Sequence, residues 1–213
     1  GKDAGEVALS EVLAEVRKKN VRTPIIIRFP QIINSQLKRL HTAFLRAQEE
    51  FSYPAKHLGV FPFKVNQRRE FIDTIVSCGE SMDWGLEVGS KTELMAALSY
   101  KMSKNSLLIC NGFKDQEFIE QAFLARALGK QTILVVEGPC ELKFMIDYKK
   151  AQKLQASLCP ELGIRVRLYS KGSGKWKSSS GERSKFGLTT VELLQALEIL
   201  DKAELQDRLS MLH

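Results

Sequence analysis

Lys64 is the residue whose setting most invites chemistry. It closes Gly59-Val60-Phe61-Pro62-Phe63-Lys64-Val65-Asn66, an apolar run that reads as a short strand presenting one amine at its end. Burying a lone ammonium costs its hydration, so such a lysine either reaches water or has a reaction to perform. One such reaction is condensation of the amine with an aldehyde cofactor to give a Schiff base. Glu87 stands near the end of the run Trp84-Gly85-Leu86-Glu87-Val88, Asn111 follows Leu107–Cys110, and Arg167 lies in the apolar stretch 163–169. In parallel α/β architectures reactive groups gather at strand C-terminal ends, which would bring these four together. If the strands carrying Lys64 and Glu87 are neighbours, the carboxylate faces the amine. An opposite charge within ~4–6 Å favours the ammonium and fixes its direction. Each residue also has a plain structural reading: a strand end in water for Lys64 and Glu87, a carboxylate-paired arginine for Arg167, and a turn for Asn111-Gly112.

The elements that must position these groups alternate along the chain. An amphipathic helix is predicted over 5–20, then a buried strand over 23–29, rich in isoleucine. A helix capped by Asn34 or Ser35 runs to about Phe51. The Lys64 strand follows, then a helix over 67–77 and the Glu87 strand. Ser90-Lys91-Thr92-Glu93 has the spacing of a capping box. Strands over 107–110, 131–137 and 163–169 alternate with helices over 115–128 and 139–154, and a helix capped by Thr190 follows. Leu209-Ser210-Met211-Leu212-His213 reads as the start of a seventh strand. Such alternation implies parallel strands with right-handed crossovers, in either an open doubly wound sheet or most of a (β/α)8 barrel. Residues 1–22 form a helical lead-in and 23–213 the barrel portion. Because a strand averages about 5–6 residues, the stop at His213 is expected to mark a fragment.

Composition narrows the class. The chain has 213 residues, 44% apolar and 27% charged, as in a globular domain. No apolar run approaches the roughly 20 residues of a membrane span, and the polar start has no signal-peptide pattern, so a cytoplasmic protein with no membrane partner is expected. The four cysteines and three histidines are scattered without metal-ligand spacing. Reduced, mostly buried thiols are expected. The net charge of +7 is concentrated: residues 165–185 carry +6 and the rest of the chain +1. One basic loop on a neutral body fits a small anionic ligand at least as well as nucleic acid, whose binders spread basic residues over a face. Lys171-Gly172-Ser173-Gly174-Lys175-Trp176 is not a P-loop: Trp176 stands where Ser or Thr is required and Tyr169 where the first glycine is. It is a candidate lid over an anion.

Six runs in order resemble the biosynthetic arginine decarboxylase family, pyridoxal-phosphate enzymes of the alanine racemase/ornithine decarboxylase fold group. They are Phe29-Pro30-Gln31, Pro62-Phe63-Lys64-Val65-Asn66-Gln67, Gly85-Leu86-Glu87-Val88-Gly89-Ser90-Lys91, Cys110-Asn111-Gly112-Phe113-Lys114-Asp115, Gly172-Ser173-Gly174-Lys175-Trp176 and Ser184-Lys185-Phe186-Gly187-Leu188. The resemblance implies an α/β fold, an incomplete (β/α)8 TIM-type barrel with six to seven parallel strands and without the family's C-terminal β-domain. It implies that Lys64 is the Schiff-base lysine, that Glu87 and Glu93 are the acids ordering it, and that Arg167 lines the cofactor pocket. The implied reaction is decarboxylation of L-arginine to agmatine and carbon dioxide, in polyamine biosynthesis, with pyridoxal 5'-phosphate as cofactor, Mg2+ as a family-level addition, and a homo-oligomer of dimer or higher order.

Phe61 and Phe63 replace the usual Tyr and Ile and keep an apolar strand. The family's cofactor-stacking histidine, glycine-rich phosphate sites and pyridine-nitrogen acid would lie past His213, so the 213 residues alone are expected to be inactive. Two other classes compete: a catalytically dead regulatory relative, which would have no reason to keep Lys64, and an anion- or nucleic-acid-binding module using the loop 165–185.

Overall fold

The structure, a computed structural model, describes residues 6–168 and 186–213. The chain divides into two units, Gly1–Pro30 and Gln31–His213. The first holds helix α1 (Leu9–Lys18), which buries none of its residues. The segment 23–29 is not a strand of the sheet: it pairs with no strand among the described residues. Its isoleucines favour an extended backbone, but a strand exists only with a partner's hydrogen bonds, and this segment lies in the other unit. Helix α2 (Pro30–Glu50) starts earlier than the Asn34 or Ser35 cap, at Pro30, whose fixed φ and missing N–H suit the first helical position.

The second unit is a sheet of six parallel strands: β1 (Val60–Pro62), β2 (Gly85–Val88), β3 (Leu107–Cys110), β4 (Gln131–Val136), β5 (Glu161–Ile164) and β6 (Leu209–Leu212). Between them run α3 (Arg69–Gly79), α4 (Lys91–Leu98), α5 (Gln116–Ala127), α6 (Pro139–Ala151) and α7 (Thr190–Lys202). Spatial order equals chain order, β1 to β6. A doubly wound sheet reverses direction at a switch point, whereas a barrel does not, so the topology is that of consecutive strands of a β/α barrel. The run at 209–213 supplies the sixth strand. The stretch predicted as a strand over 163–169 pairs two residues earlier, over 161–164, and Val166 makes only an isolated bridge to Leu188.

Alternation along each strand sorts the two faces. Leu86, Val88, Leu108, Cys110, Leu134, Val136, Leu162 and Ile164 point to the helix layer and join Ile72, Leu94, Phe118, Ile119, Leu142 and Leu200 in one core. Ile109, Ile133 and Val135, also buried, take the opposite, concave face. There a Cβ on Gly163 would stand 3.2–3.3 Å from the Met211 and Val135 side chains, which would have to give by a few tenths of an ångström. The residues next along the concave parity are polar, and they form the C-terminal rim of the sheet.

All four cysteines are free; Cys110 and Cys159 are buried, Cys78 is half-buried and Cys140 exposed. Burial pushes the Cys110 thiol up to about 12. Among the described residues no helix is long and apolar enough to cross a membrane. No group of three His, Cys, Asp or Glu side chains able to hold a metal occurs among them.

Candidate active site at the strand C-terminal ends

Lys64 stands just beyond β1 rather than in it. After Pro62 the chain tightens into a 3-10 turn, Phe63–Val65, which buries Phe63 in the core and turns Lys64 outward. Its side chain is 68% exposed, so the amine is reachable and needs no compensation for burial. Nζ lies 3.8 Å from Glu87 Oε1. Parallel register brings this about: Pro62 pairs with Glu87, so the chain leaving β1 carries Lys64 to the end of the sheet on which Glu87 lies. Asn111 Nδ2 donates to the same Glu87 oxygen at 3.2 Å. Of the four residues expected at one end, Lys64, Glu87 and Asn111 are joined there by these contacts, and Arg167 is not.

Glu93 sits at the start of α4, whose cap is Ser90, with Ser90 Oγ accepting the Glu93 N–H at 3.2 Å. Its carboxylate does not return to the Ser90 amide, as a capping box would. It accepts the Gly89 N–H at 2.6 Å and the Gln67 Nε2 at 2.7 Å. Glu93 thus ties the turn after β2 to the turn that carries Lys64, without touching the amine. Arg167 lies past β5. Its N–H donates to the Leu188 carbonyl at 2.8 Å and its Nη2 to the Gly187 carbonyl at 3.4 Å. Its Nε is buried with no hydrogen-bond partner among the described residues. Of the basic loop, residues 169–185 lie outside the described residues, among them Gly172-Ser173-Gly174-Lys175-Trp176.

Three rim residues escaped the sequence reading. Glu137, the first residue after β4, accepts the Gly112 N–H at 2.9 Å and Arg165 Nη1 at 3.1 Å. Arg165, the first residue after β5, also lies over the Phe186 ring, 5.0 Å from its centroid. His213 extends β6, its N–H donating to the Ile164 carbonyl at 2.8 Å. Its imidazole is held below the ordinary histidine range by burial and by Arg165, against the opposing pull of Glu87 and Glu137, which places it in the same mouth. The available signal was position: Glu137 and Arg165 are the first polar residues after uninterrupted apolar strand runs, as Lys64 is.

The mouth therefore combines an accessible primary amine, carboxylates at Glu87 and Glu137, an amide at Asn111, a guanidinium at Arg165 and an imidazole at His213. An aldehyde could condense with the first, and an anionic or hydrogen-bonding ring could be held by the others, so these residues fit an aldehyde cofactor bearing negative charge.

A barrel of parallel strands with such an amine at its C-terminal rim defines a class. The family model "Pyridoxal-dependent decarboxylase, pyridoxal binding domain" matches residues 37–212, and the chain belongs to that family. It is similar to biosynthetic arginine decarboxylases over its whole length. It is 42% identical over 212 residues to that of Phocaeicola vulgatus, covering 100% of this chain and 33% of the relative. It is 42% identical over 213 residues to that of Parasynechococcus marenigrum, covering 100% and 32%. The crystal structure of the biosynthetic arginine decarboxylase SpeA from Campylobacter jejuni superposes with a TM-score of 0.84 at 33% identity, over 97% of this chain and 33% of that one. The chain spans about a third of the length of the curated relatives it matches.

Proposed function

We propose that this chain carries the cofactor-attachment half of a site that decarboxylates L-arginine to agmatine and carbon dioxide with pyridoxal 5'-phosphate. The observation that carries the reading is the exposed Lys64 amine at the C-terminal rim, 3.8 Å from Glu87. Pyridoxal phosphate, when bound, supplies the aldehyde carbon for an amine and a ring that accepts the electron pair left by departing carbon dioxide.

The chain's own residues have separable tasks in this reading. Lys64 Nζ is the attachment point, and Glu87 Oε1 directs it. Asn111 Nδ2 keeps that carboxylate from rotating away. Glu93 holds the turn through Gln67, a supporting task rather than a contact with the cofactor. Arg165 supplies positive charge to the mouth for an anionic group, while Arg167, the residue the resemblance places at the cofactor pocket, turns its head to the Gly187 carbonyl. Glu137 fixes the Arg165 head. The arginine specificity is supported by the names of the relatives, the same resemblance brings polyamine synthesis, a homo-oligomer and magnesium as expectations, and a cytoplasmic location remains the expectation from the polar start and apolar-run lengths of the sequence.

The test is chemical. The 213-residue chain is incubated with pyridoxal phosphate, reduced with borohydride, digested and read by mass spectrometry. A reduced adduct on Lys64, absent from Lys64→Ala, is the expected result. Adducts spread over the surface lysines, unchanged by that substitution, would end the reading. The expectation that these 213 residues alone form no agmatine stays with it, and agmatine production by them would overturn that part.

A further inference from the structure

Beneath the rim lies an ion pair that the site just described does not use. Lys114, in the turn between β3 and α5, is 0% exposed, and Glu141, in the first turn of α6, is 2% exposed. Nζ and Oε1 are 3.1 Å apart. Taking two charges out of water is expensive, and apolar residues of similar volume are often as good or better for stability. Burial alone would raise the Glu141 carboxyl, against the pull of Lys114 and of two backbone amides. A pair kept under those conditions calls for another explanation, and the hydrogen bonds supply one.

Every remaining bond of the pair goes to the backbone of the rim. Glu141 Oε2 accepts the Glu137 N–H at 2.7 Å, and Oε1 accepts the Lys114 N–H at 3.2 Å. Lys114 Nζ donates to the Gly112 carbonyl. Gly112 in turn donates its N–H to Glu137 Oε1 at 2.9 Å. The result is a closed circuit: Lys114 to Glu141, to Glu137, to Gly112, and back to Lys114. Gly112 has φ +82°, and an added Cβ there would stand 3.1 Å from the Gly89 carbonyl oxygen, so the turn cannot relax by simple substitution. Two arms leave the circuit toward the mouth. One runs from Glu137 to Arg165 at 3.1 Å. The other runs from Asn111, adjacent to Gly112, to Glu87 at 3.2 Å and on to Lys64 at 3.8 Å.

We infer that Lys114 and Glu141 are positioning residues of the candidate site, a buried ion pair that fixes the Asn111–Gly112 turn and Glu137, so that Glu87 is held against the Lys64 amine and Arg165 is held at the same rim. The relevance to cofactor attachment rests on the function proposed above; the positioning itself does not. A network closed on itself in low dielectric holds geometry better than its separate bonds would.

The test compares wild type with Lys114→Met/Glu141→Gln, which removes both charges but leaves an amide oxygen for the Glu137 N–H. Amide hydrogen exchange at Gly112 and Glu137 is expected to rise by about tenfold or more, with Leu134 in β4 unchanged as the internal control. Pyridoxal phosphate uptake on Lys64 is expected to weaken by about tenfold. Equal exchange, or exchange rising by the same factor at Leu134, would overturn the inference, the latter by revealing a merely structural role. So would wild-type uptake by a variant that has loosened. If the double variant loses its cooperative melt, Glu141→Gln alone carries the comparison. If the wild-type chain takes no cofactor on Lys64, the proposed function fails, while the exchange measurement still decides the positioning role.

Discussion

The two ends of the strands are built on different physical principles. At the N-terminal ends the organising residue is Trp84, just before β2, and space is made for it: a Cβ on Gly59 would meet its ring at 2.7 Å. Phe44 stacks on His57 at 4.1 Å, and the His57 ring meets Trp84 edge-on at 6.2 Å. A cavity of about 500 Å³ opens there, lined by His41, Tyr53, His57 and Asp83 among others. At the C-terminal ends, side-chain carboxylates seize backbone amides: Glu93 takes Gly89, Glu137 takes Gly112, and Glu141 takes Glu137. Close packing fixes volume and shape, whereas charge-assisted hydrogen bonds fix direction. The end that aims polar groups at Lys64 is the one held by directional bonds, as expected where function sits on the C-terminal face and stability on the other.

Three measurements would break or sharpen that contrast. The largest effect is expected from Gly85→Ala at the packed end. The new methyl would land on the Leu107 backbone carbonyl of the neighbouring strand, which cannot move without parting β2 from β3. A loss of ~4 kcal/mol or more is expected, seen as the disappearance of a cooperative thermal transition. A normal melt would mean that this end is not tightly packed.

The next is Glu93→Ala at the bonded end. It strips the acceptor from the Gly89 and Gln67 donors in a residue only 8% exposed. A cost of about 1–3 kcal/mol is expected in denaturant melts. Glu93→Gln, which keeps an acceptor oxygen, should recover much of it. Equal losses in the two variants would show that volume, not hydrogen bonding, matters there.

The smallest effect is a pH dependence at the packed end. His41 Nδ1 and His57 Nδ1 are 3.2 Å apart, so one must donate and the other accept. Burial first, and then His41, hold His57 below its ordinary value of 6.5. Between the folded and unfolded values the unfolded chain binds more protons, so stability rises with pH in that window. Acidification from about pH 7 should therefore lower the melting temperature, beginning near 6.5 and levelling off once the folded-state value is passed. His57→Phe, which keeps an aromatic ring on Phe44, should flatten that slope. The slope that persists belongs to His213 at the other end, which is shifted the same way. An unchanged slope would remove His57 from the account.

The legible part of the site was the part written locally. Lys64 is marked by being the one amine at the end of an apolar run, Glu87 by being the one charge within another, and Asn111-Gly112 by turn chemistry. The missed part lies in pairs far apart in the chain. Gly112 and Glu137, Lys114 and Glu141, and Glu137 and Arg165 are separated by 25 to 28 residues. No local pattern marks them. Glu93 shows the difference within one residue: its spacing from Ser90 foretold the cap, while its carboxylate was claimed by Gln67 from another turn.

The sequence by itself determined the alternation of apolar strands and amphipathic helices, the family signature runs, and the single amine on which the proposed chemistry turns. These are set by side-chain period, turn residues and the cost of burying charge, all of which act over a few positions. Only the tertiary structure decided that 23–29 stays outside the sheet and that Glu137, Arg165, His213 and the Lys114–Glu141 pair converge at one rim. Those outcomes depend on which strand neighbours which and in what register, and register is fixed by the summed packing of the whole sheet rather than by any one segment.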